Sequence, residues 1–166
     1  GMTENFRMNR LLMWIQPENY SSGIGYQTVQ GLYAIGSGGL FGKGLGQSLQ
    51  KLGFIPESQN DMIFSIICEE LGLFGAMCII LVFALMLWRI IHIAQNAPDL
   101  FGTMLAAGVF AHVAVQVVLN IAVVTNFIPN TGVSLPFISY GGTASFFLLL
   151  EMGIVLNISS KIRLER

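Results

Sequence analysis

The feature that most restricts this chain is a run of 51 residues, from Leu100 to Leu150, that contains no Asp, Glu, Lys or Arg. A second uncharged run of 18 residues extends from Leu71 to Trp88. A helix needs about 20 apolar residues to cross the roughly 30 Å of hydrocarbon in a bilayer, so the shorter run fits one crossing and the longer run exceeds one. Only 10% of the residues are charged, against about 25% in soluble domains. An all-α integral membrane protein is therefore predicted.

Helix-breaking residues divide the long run into two spans. Pro129, Pro136 and the pair Gly141-Gly142 interrupt it, because proline removes a backbone donor and glycine is entropically costly in a helix. The prediction is an external loop region at residues 1–68, followed by three transmembrane helices at about 70–93, 102–127 and 143–160.

Basic residues near the span ends predict the orientation. Basic residues follow the first span and the third span, whereas the loop between the second and third spans carries none. The positive-inside rule then places the C-terminus in the cytoplasm and residues 1–68 outside. The residues that carry this argument are Arg89, His92, Lys161, Arg163 and Arg166.

The region before the first span opens on Gly1-Met2, typical of a tag residue before a start methionine, and shows no signal peptide. Residues 7–15 mix basic, apolar and aromatic side chains, which suits either an interfacial helix or a helix packed on protein. Seven glycines between Gly31 and Gly46 predict tight turns in place of a regular helix. This run does not match a phosphate-binding P-loop; a looser nest of backbone amides for a pyrophosphate stays open beside simple turn chemistry.

Charge and cysteine usage exclude other classes. The net charge of −1, without a basic block, gives no nucleic-acid footprint. Cys68 and Cys78 suit neither a CxxC pair nor a metal cluster, so we interpret both as packing residues. We assign no metal ligands and no certain cofactor, and leave a requirement for a divalent cation open.

Three blocks of sequence carry a resemblance: Gly25-Tyr26-Gln27 with Ala34–Gly46, Ile55–Phe64 with Glu69–Gly72, and Pro129–Gly132 with Leu135–Gly142. They are similar to blocks of the SEDS family (FtsW, RodA and SpoVE), bacterial cell-wall glycan polymerases. The resemblance extends from Arg7 to Ser160 and covers the C-terminal part of a ten-span architecture. Asn60 and Met62 depart from the family's usual Thr and Phe beside the key aspartate.

The resemblance, closest to the FtsW and SpoVE branch, implies polymerisation of lipid II by inverting glycosyl transfer, with undecaprenyl pyrophosphate as the leaving group. It implies a multi-pass protein of the bacterial cytoplasmic membrane that contacts membrane lipids and a class B penicillin-binding protein, a transpeptidase. It leaves open whether the role is in division, cell shape or sporulation, and we expect this piece alone to be inactive. A lipid II transporter and a membrane scaffold for a transpeptidase are the alternatives.

The same resemblance assigns site residues outside the spans. Asp61 matches the family's essential aspartate, and a carboxylate just above the bilayer can act as the base that activates a hydroxyl. For most of the other residues a structural role is an open alternative. The residues assigned to substrate binding are Glu57, Lys43, Lys51, Ser139 and Tyr140.

Polar residues also occur within or beside the spans, where they generally face protein. Glu69 and Glu70 precede the predicted first span and are expected to cap its N-terminus through the helix dipole. Glu151 lies within the third span and needs an inward-facing partner, for which the second span offers candidates. Those candidates form a stripe at intervals of four residues: His112, Gln116 and Asn120.

Overall fold

The computed structural model describes residues 14–15, 24–44, 46–47 and 61–162. In this part of the chain, helices are the only regular elements, and three of them are long and apolar enough to cross a membrane. The predicted all-α class with three spans is confirmed. The helices are α1 (Ile24–Gly38), α2 (Ile63–Gln95), α3 (Leu100–Val124) and α4 (Gly142–Lys161).

The three long helices run up and down, with α2 packed along α3 and α3 along α4. A short connection joins α2 to α3, where the Asp99 carboxylate accepts a hydrogen bond from Gly102 N at 3.2 Å and caps α3. The start of α2, the end of α3 and the start of α4 therefore meet at one end of the bundle. We call this the Asp61 end, after the residue that lies just before α2.

Helix α3 stops through a hydrogen-bonded C-terminal motif. Asn126 adopts a positive φ of 57°, and Phe127 N donates to Ala122 O at 2.8 Å while Asn126 N donates to Val123 O at 2.9 Å. These two bonds form a Schellman motif, in which asparagine tolerates the left-handed conformation better than most residues. The motif turns the chain into the loop of residues 125–141 at the Asp61 end.

Helix α1 lies against the first turns of α2 and runs in the same direction. A Cβ on Gly31 would lie 3.2 Å from Ser65 Oγ, and one on Gly38 would lie only 1.9 Å from Cys68 O. The glycines therefore allow a backbone approach that no side chain permits. The prediction that Gly31–Gly46 forms no regular helix is wrong for its first half, because α1 continues to Gly38.

Helix α2 is broken at Gly72, which has φ 69° and ψ −168°. The break separates carbonyl and N–H groups that would otherwise bond within the helix, and the glycine loop of residues 39–44 bonds them instead. Lys43 N and Gly44 N donate to the carbonyls of Glu69 and Glu70, at 2.9 and 3.0 Å. Leu73 N and Phe74 N donate to the carbonyls of Gly39 and Leu40, at 2.9 and 3.1 Å.

Helix α2 begins at Ile63, whereas the first span was predicted to begin near residue 70. The hydropathy of the predicted span belongs to the part of the helix after the break. The two and a half turns before the break carry polar residues, which the glycine loop and α1 cover. The bounds of α3 and α4 lie within a few residues of those predicted.

Candidate functional site

Asp61 lies in the turn that precedes α2, with its side chain half-buried at the Asp61 end. Its carboxylate faces the loop between α3 and α4, since a Cβ on Gly132 would lie 3.5 Å from Asp61 Oδ2. Gly132 has a positive φ of 72°, a conformation that L side chains rarely adopt. The carboxylate therefore lies beside the backbone of the loop between α3 and α4, at a position where Gly132 has no side chain.

Asn120 joins the two loops that meet at this site. Its Nδ2 donates to the carbonyl oxygen of Asp61 at 3.0 Å and to that of Val133 at 2.8 Å. The Asn120 side chain is fully buried in the last turns of α3. One amide group thus holds the backbone of the candidate base and the backbone of the facing loop.

Met62 anchors the turn that contains Asp61 in the hydrophobic core. Its side chain is fully buried, and its carbonyl accepts a hydrogen bond from Ser65 N at 3.1 Å as α2 begins. The substitution of Met for the family's usual Phe therefore falls on a packing position and not on the polar face of the site.

Lys43 and Glu69 form an ion pair between the glycine loop and α2. Lys43 Nζ lies 2.7 Å from Glu69 Oε1, and Ser37 Oγ donates to the same oxygen at 3.4 Å. The Glu69 side chain is completely buried, whereas that of Lys43 is 32% exposed. A pyrophosphate role for Lys43 stays a prediction.

The predicted capping role of Glu69 and Glu70 needs correction. Both residues lie inside α2, ahead of its break. The N–H groups at the start of the second half, those of Leu73 and Phe74, are capped by backbone carbonyls of the glycine loop. The sequence motif marks the break in the helix and not its beginning.

His112 and Glu151 meet between α3 and α4. His112 Nδ1 lies 3.0 Å from both carboxylate oxygens of Glu151, with side chains 47% and 25% exposed. Histidine is thus the member of the predicted stripe that contacts Glu151. Gln116 lies one turn further along α3, and within the described part of the chain its Oε1 is buried without a hydrogen-bond partner.

Ser139 and Tyr140 have different surroundings in the loop after α3. Ser139 is buried, and its hydroxyl accepts a hydrogen bond from Leu135 N at 2.8 Å, which shapes the turn. Tyr140 is 81% exposed. The turn-shaping alternative therefore has a contact for Ser139, while substrate binding by either residue stays a prediction.

Two predicted substrate residues, Glu57 and Lys51, lie outside the described residues, as does most of the predicted interfacial helix at residues 7–15. Trp14 is described, and its Nε1 donates to Asn126 O at 3.0 Å. Residue 14 therefore lies at the Asp61 end. Among residues 14–15, 24–44, 46–47 and 61–162, no group of three His, Cys, Asp or Glu side chains could hold a metal ion.

Sequence reasoning treated Asn120 as part of an intramembrane stripe and missed its contact with Asp61. A signal was present, because Asn120 lies near the end of an apolar helix that leads directly into a matched loop. Ser37 was missed as a partner of Glu69. No sequence signal pointed to that contact, because it depends on where the glycine loop enters α2.

Comparison with known proteins shows which family this chain resembles along its length. The model of the FtsW/RodA/SpoVE family, described as "Cell cycle protein", matches residues 1–164. Stage V sporulation protein E of Bacillus subtilis is 49% identical over 154 residues, which cover 93% of this chain and 42% of that protein. A protein named "Probable peptidoglycan glycosyltransferase FtsW", from Trichlorobacter lovleyi, is 44% identical over 159 residues, 96% of this chain and 42% of that one.

Solved structures also resemble this one. A chain from a study titled "Structural coordination of polymerization and crosslinking by a peptidoglycan synthase complex" superposes with a TM-score of 0.74 over 96% of this chain and 43% of that chain. At 24% identity, it shows the fold alone. A mutant of rod shape determining protein RodA from Thermus thermophilus is 30% identical, with a TM-score of 0.62 over 81% of this chain and 41% of that chain.

Proposed function

The chain belongs to the FtsW/RodA/SpoVE family, and from this membership we propose that the full-length protein polymerises peptidoglycan glycan strands from lipid II. The chain spans 42% of the length of the first curated relatives that it matches. It contributes three spans, the Asp61 turn and the loop that faces it. The observation that carries the proposal is the position of the Asp61 carboxylate beside Gly132, where two family blocks meet.

Asp61 acts in this proposal as the general base. The carboxylate takes the proton of the acceptor sugar hydroxyl as the hydroxyl oxygen bonds to the anomeric carbon of the donor. The bond from that carbon to the pyrophosphate breaks, and the electron pair leaves with undecaprenyl pyrophosphate. Attack on the face opposite the leaving group inverts the anomeric centre. Glu57, Lys43 and Lys51 are the candidate groups that contact the substrate's charged and polar parts.

The same proposal places the Asp61 end on the outer face of the bacterial cytoplasmic membrane. Lipid-linked sugars would then meet the site at the membrane surface. Trp14 lies at the same end, because its Nε1 donates to Asn126 O. The connection between α2 and α3, and Lys161 at the end of α4, lie at the opposite end and would face the cytoplasm.

The proposed partner is a class B penicillin-binding protein, whose transpeptidase would cross-link the strands that this protein makes. Support comes from a fold neighbour that was solved as part of a peptidoglycan synthase complex. The lipid-facing surface of the helices provides contact area, since large apolar side chains such as Phe74, Val82 and Trp88 are exposed.

The test compares the full-length protein with its Asp61→Asn variant in liposomes that contain lipid II and the partner. Wild type is expected to produce glycan, and the variant is expected to lose this activity at equal protein level and equal partner binding. Asn60→Thr, which restores the family's usual residue next to Asp61, is the matched control and should keep activity. Equal glycan from wild type and Asp61→Asn would exclude Asp61 as the general base, and no glycan from wild type would favour the transporter or the scaffold.

A further inference from the structure

The side chain of Asn120 connects two loops that are far apart in sequence. Residues 120 and 61 are separated by 59 positions, and residues 120 and 133 by 13. Both bonds leave from the same nitrogen, so one planar group sets the distance between two backbone carbonyls. Because the amide is fully buried, water does not compete for these bonds.

Asn120 contacts both loops through the N–H donors of its side-chain amide. A primary amide offers two N–H donors and one carbonyl acceptor. Both donors are used, whereas Oδ1 is buried and has no hydrogen-bond partner among the residues that the structure describes.

We propose that Asn120 is a positioning residue for Asp61, an inference that rests on the proposed function. Its two hydrogen bonds hold the Asp61 turn against the loop that carries Gly132 and Val133. The base then faces the space beside Gly132, where the acceptor hydroxyl lies during transfer. Asn120 acts through the backbone of its partners and does not touch the substrate.

The geometry places both bonds next to the reacting region. One acceptor is the carbonyl of Asp61 itself, and the other belongs to Val133, the neighbour of the glycine that the carboxylate faces. A shift of either loop therefore changes the separation between the base and the opposite wall. Misplacement by about 1 Å can cost on the order of 100-fold in rate, because attack requires close alignment of the reacting atoms.

The decisive variant is Asn120→Asp in the full-length protein. An aspartate has nearly the same shape, but it donates to neither carbonyl when ionised and to only one of them when protonated, so the pair of bonds is lost in both forms. We expect kcat per folded molecule to fall about 10- to 100-fold, while the KM for lipid II changes less than about twofold, since no substrate contact is removed. Asn120→Ser, which keeps one donor in a smaller side chain, should fall between wild type and Asn120→Asp.

The matched control is Val113→Ala, on the same helix. Val113 is also fully buried in the core, and it lies two turns away from Asn120. This variant should lower the melting temperature and leave kcat per folded molecule unchanged. The split between kcat and KM therefore distinguishes positioning from a purely structural role.

Two results would overturn the inference, and they differ in whether the general-base role of Asp61 survives. If Asp61→Asn is inactive while Asn120→Asp and Asn120→Ser keep wild-type kcat per folded molecule, positioning by Asn120 is rejected and the proposed function stands. If Asp61→Asn is fully active, the general-base role of Asp61 fails and the positioning inference fails with it; if the wild-type protein makes no glycan, the proposed function itself fails.

Discussion

Lys43 Nζ lies 2.7 Å from Glu69 Oε1, although the two residues are 26 positions apart in the chain. This ion pair fastens the glycine loop to α2 just ahead of the break at Gly72. Backbone hydrogen bonds surround it on both sides, so the loop replaces the helical bonds that α2 lacks. The pair therefore belongs to the framework that holds the first half of α2 and the Asp61 turn.

Removing the lysine should destabilise the protein more than neutralising the glutamate. Lys43→Met leaves the completely buried Glu69 carboxylate without the Lys43 ammonium, and breaking a buried pair in this way costs about 3 kcal/mol. In Glu69→Gln the lysine, 32% exposed, can still reach water. We expect the melting temperature in detergent to fall further for Lys43→Met, and equal losses would contradict the asymmetry. Lys161→Met, at the other end of the bundle, is the control.

Gly38→Ala should disrupt folding, whereas Gly36→Ala should be tolerated. A Cβ at position 38 would lie 1.9 Å from Cys68 O, a backbone atom that can move only with α2, while one at position 36 meets nothing within 4 Å. Alanine at an open helical position stabilises by about 0.5–1 kcal/mol relative to glycine. The measurement is the yield of monodisperse protein in detergent and its melting temperature. Normal folding of Gly38→Ala would show that α1 is further from α2 than described.

The contact between His112 and Glu151 should give a measurable coupling energy. A double-mutant cycle with His112→Ala and Glu151→Ala should show about 0.6 kcal/mol, up to ~1.7 kcal/mol, as for hydrogen bonds between other transmembrane helices. The free energy of unfolding in detergent with increasing SDS provides the values. Ser160 lies about 13 Å along α4 from Glu151, so a cycle between His112→Ala and Ser160→Ala should be additive. Zero coupling in the first cycle would remove the pair as a contact between α3 and α4.

Cysteine labelling tests which end of the bundle faces outward. In a background with Cys68→Ala and Cys78→Ala, Phe127→Cys places a thiol at an exposed position of the Asp61 end. Gln95→Cys places one at the opposite end, which is also exposed. The reagent is a maleimide that does not cross the cytoplasmic membrane but can reach its outer face. It should label position 127 in intact cells and position 95 only after the membrane is permeabilised. The reverse pattern would invert the proposed topology.

The spans and the class of protein were predictable because they depend on local composition. The uncharged runs from Leu71 to Trp88 and from Leu100 to Leu150 contain the apolar residues that a bilayer crossing needs. Prolines and glycines between them mark where a helix must stop. The family resemblance singled out Asp61, and its assignment as base stays a prediction.

The sequence alone therefore determined an all-α membrane protein with three spans and a candidate catalytic aspartate. Only the tertiary structure decided that α2 is broken at Gly72, that the glycine loop occupies the break, and that Asn120 bonds Asp61. Each of these depends on groups that lie far apart in the chain, and buried polar groups need partners wherever the packing brings those partners. Hydropathy is a sum over neighbouring residues and so reports each crossing; it carries no information about which loop supplies a hydrogen bond to which helix.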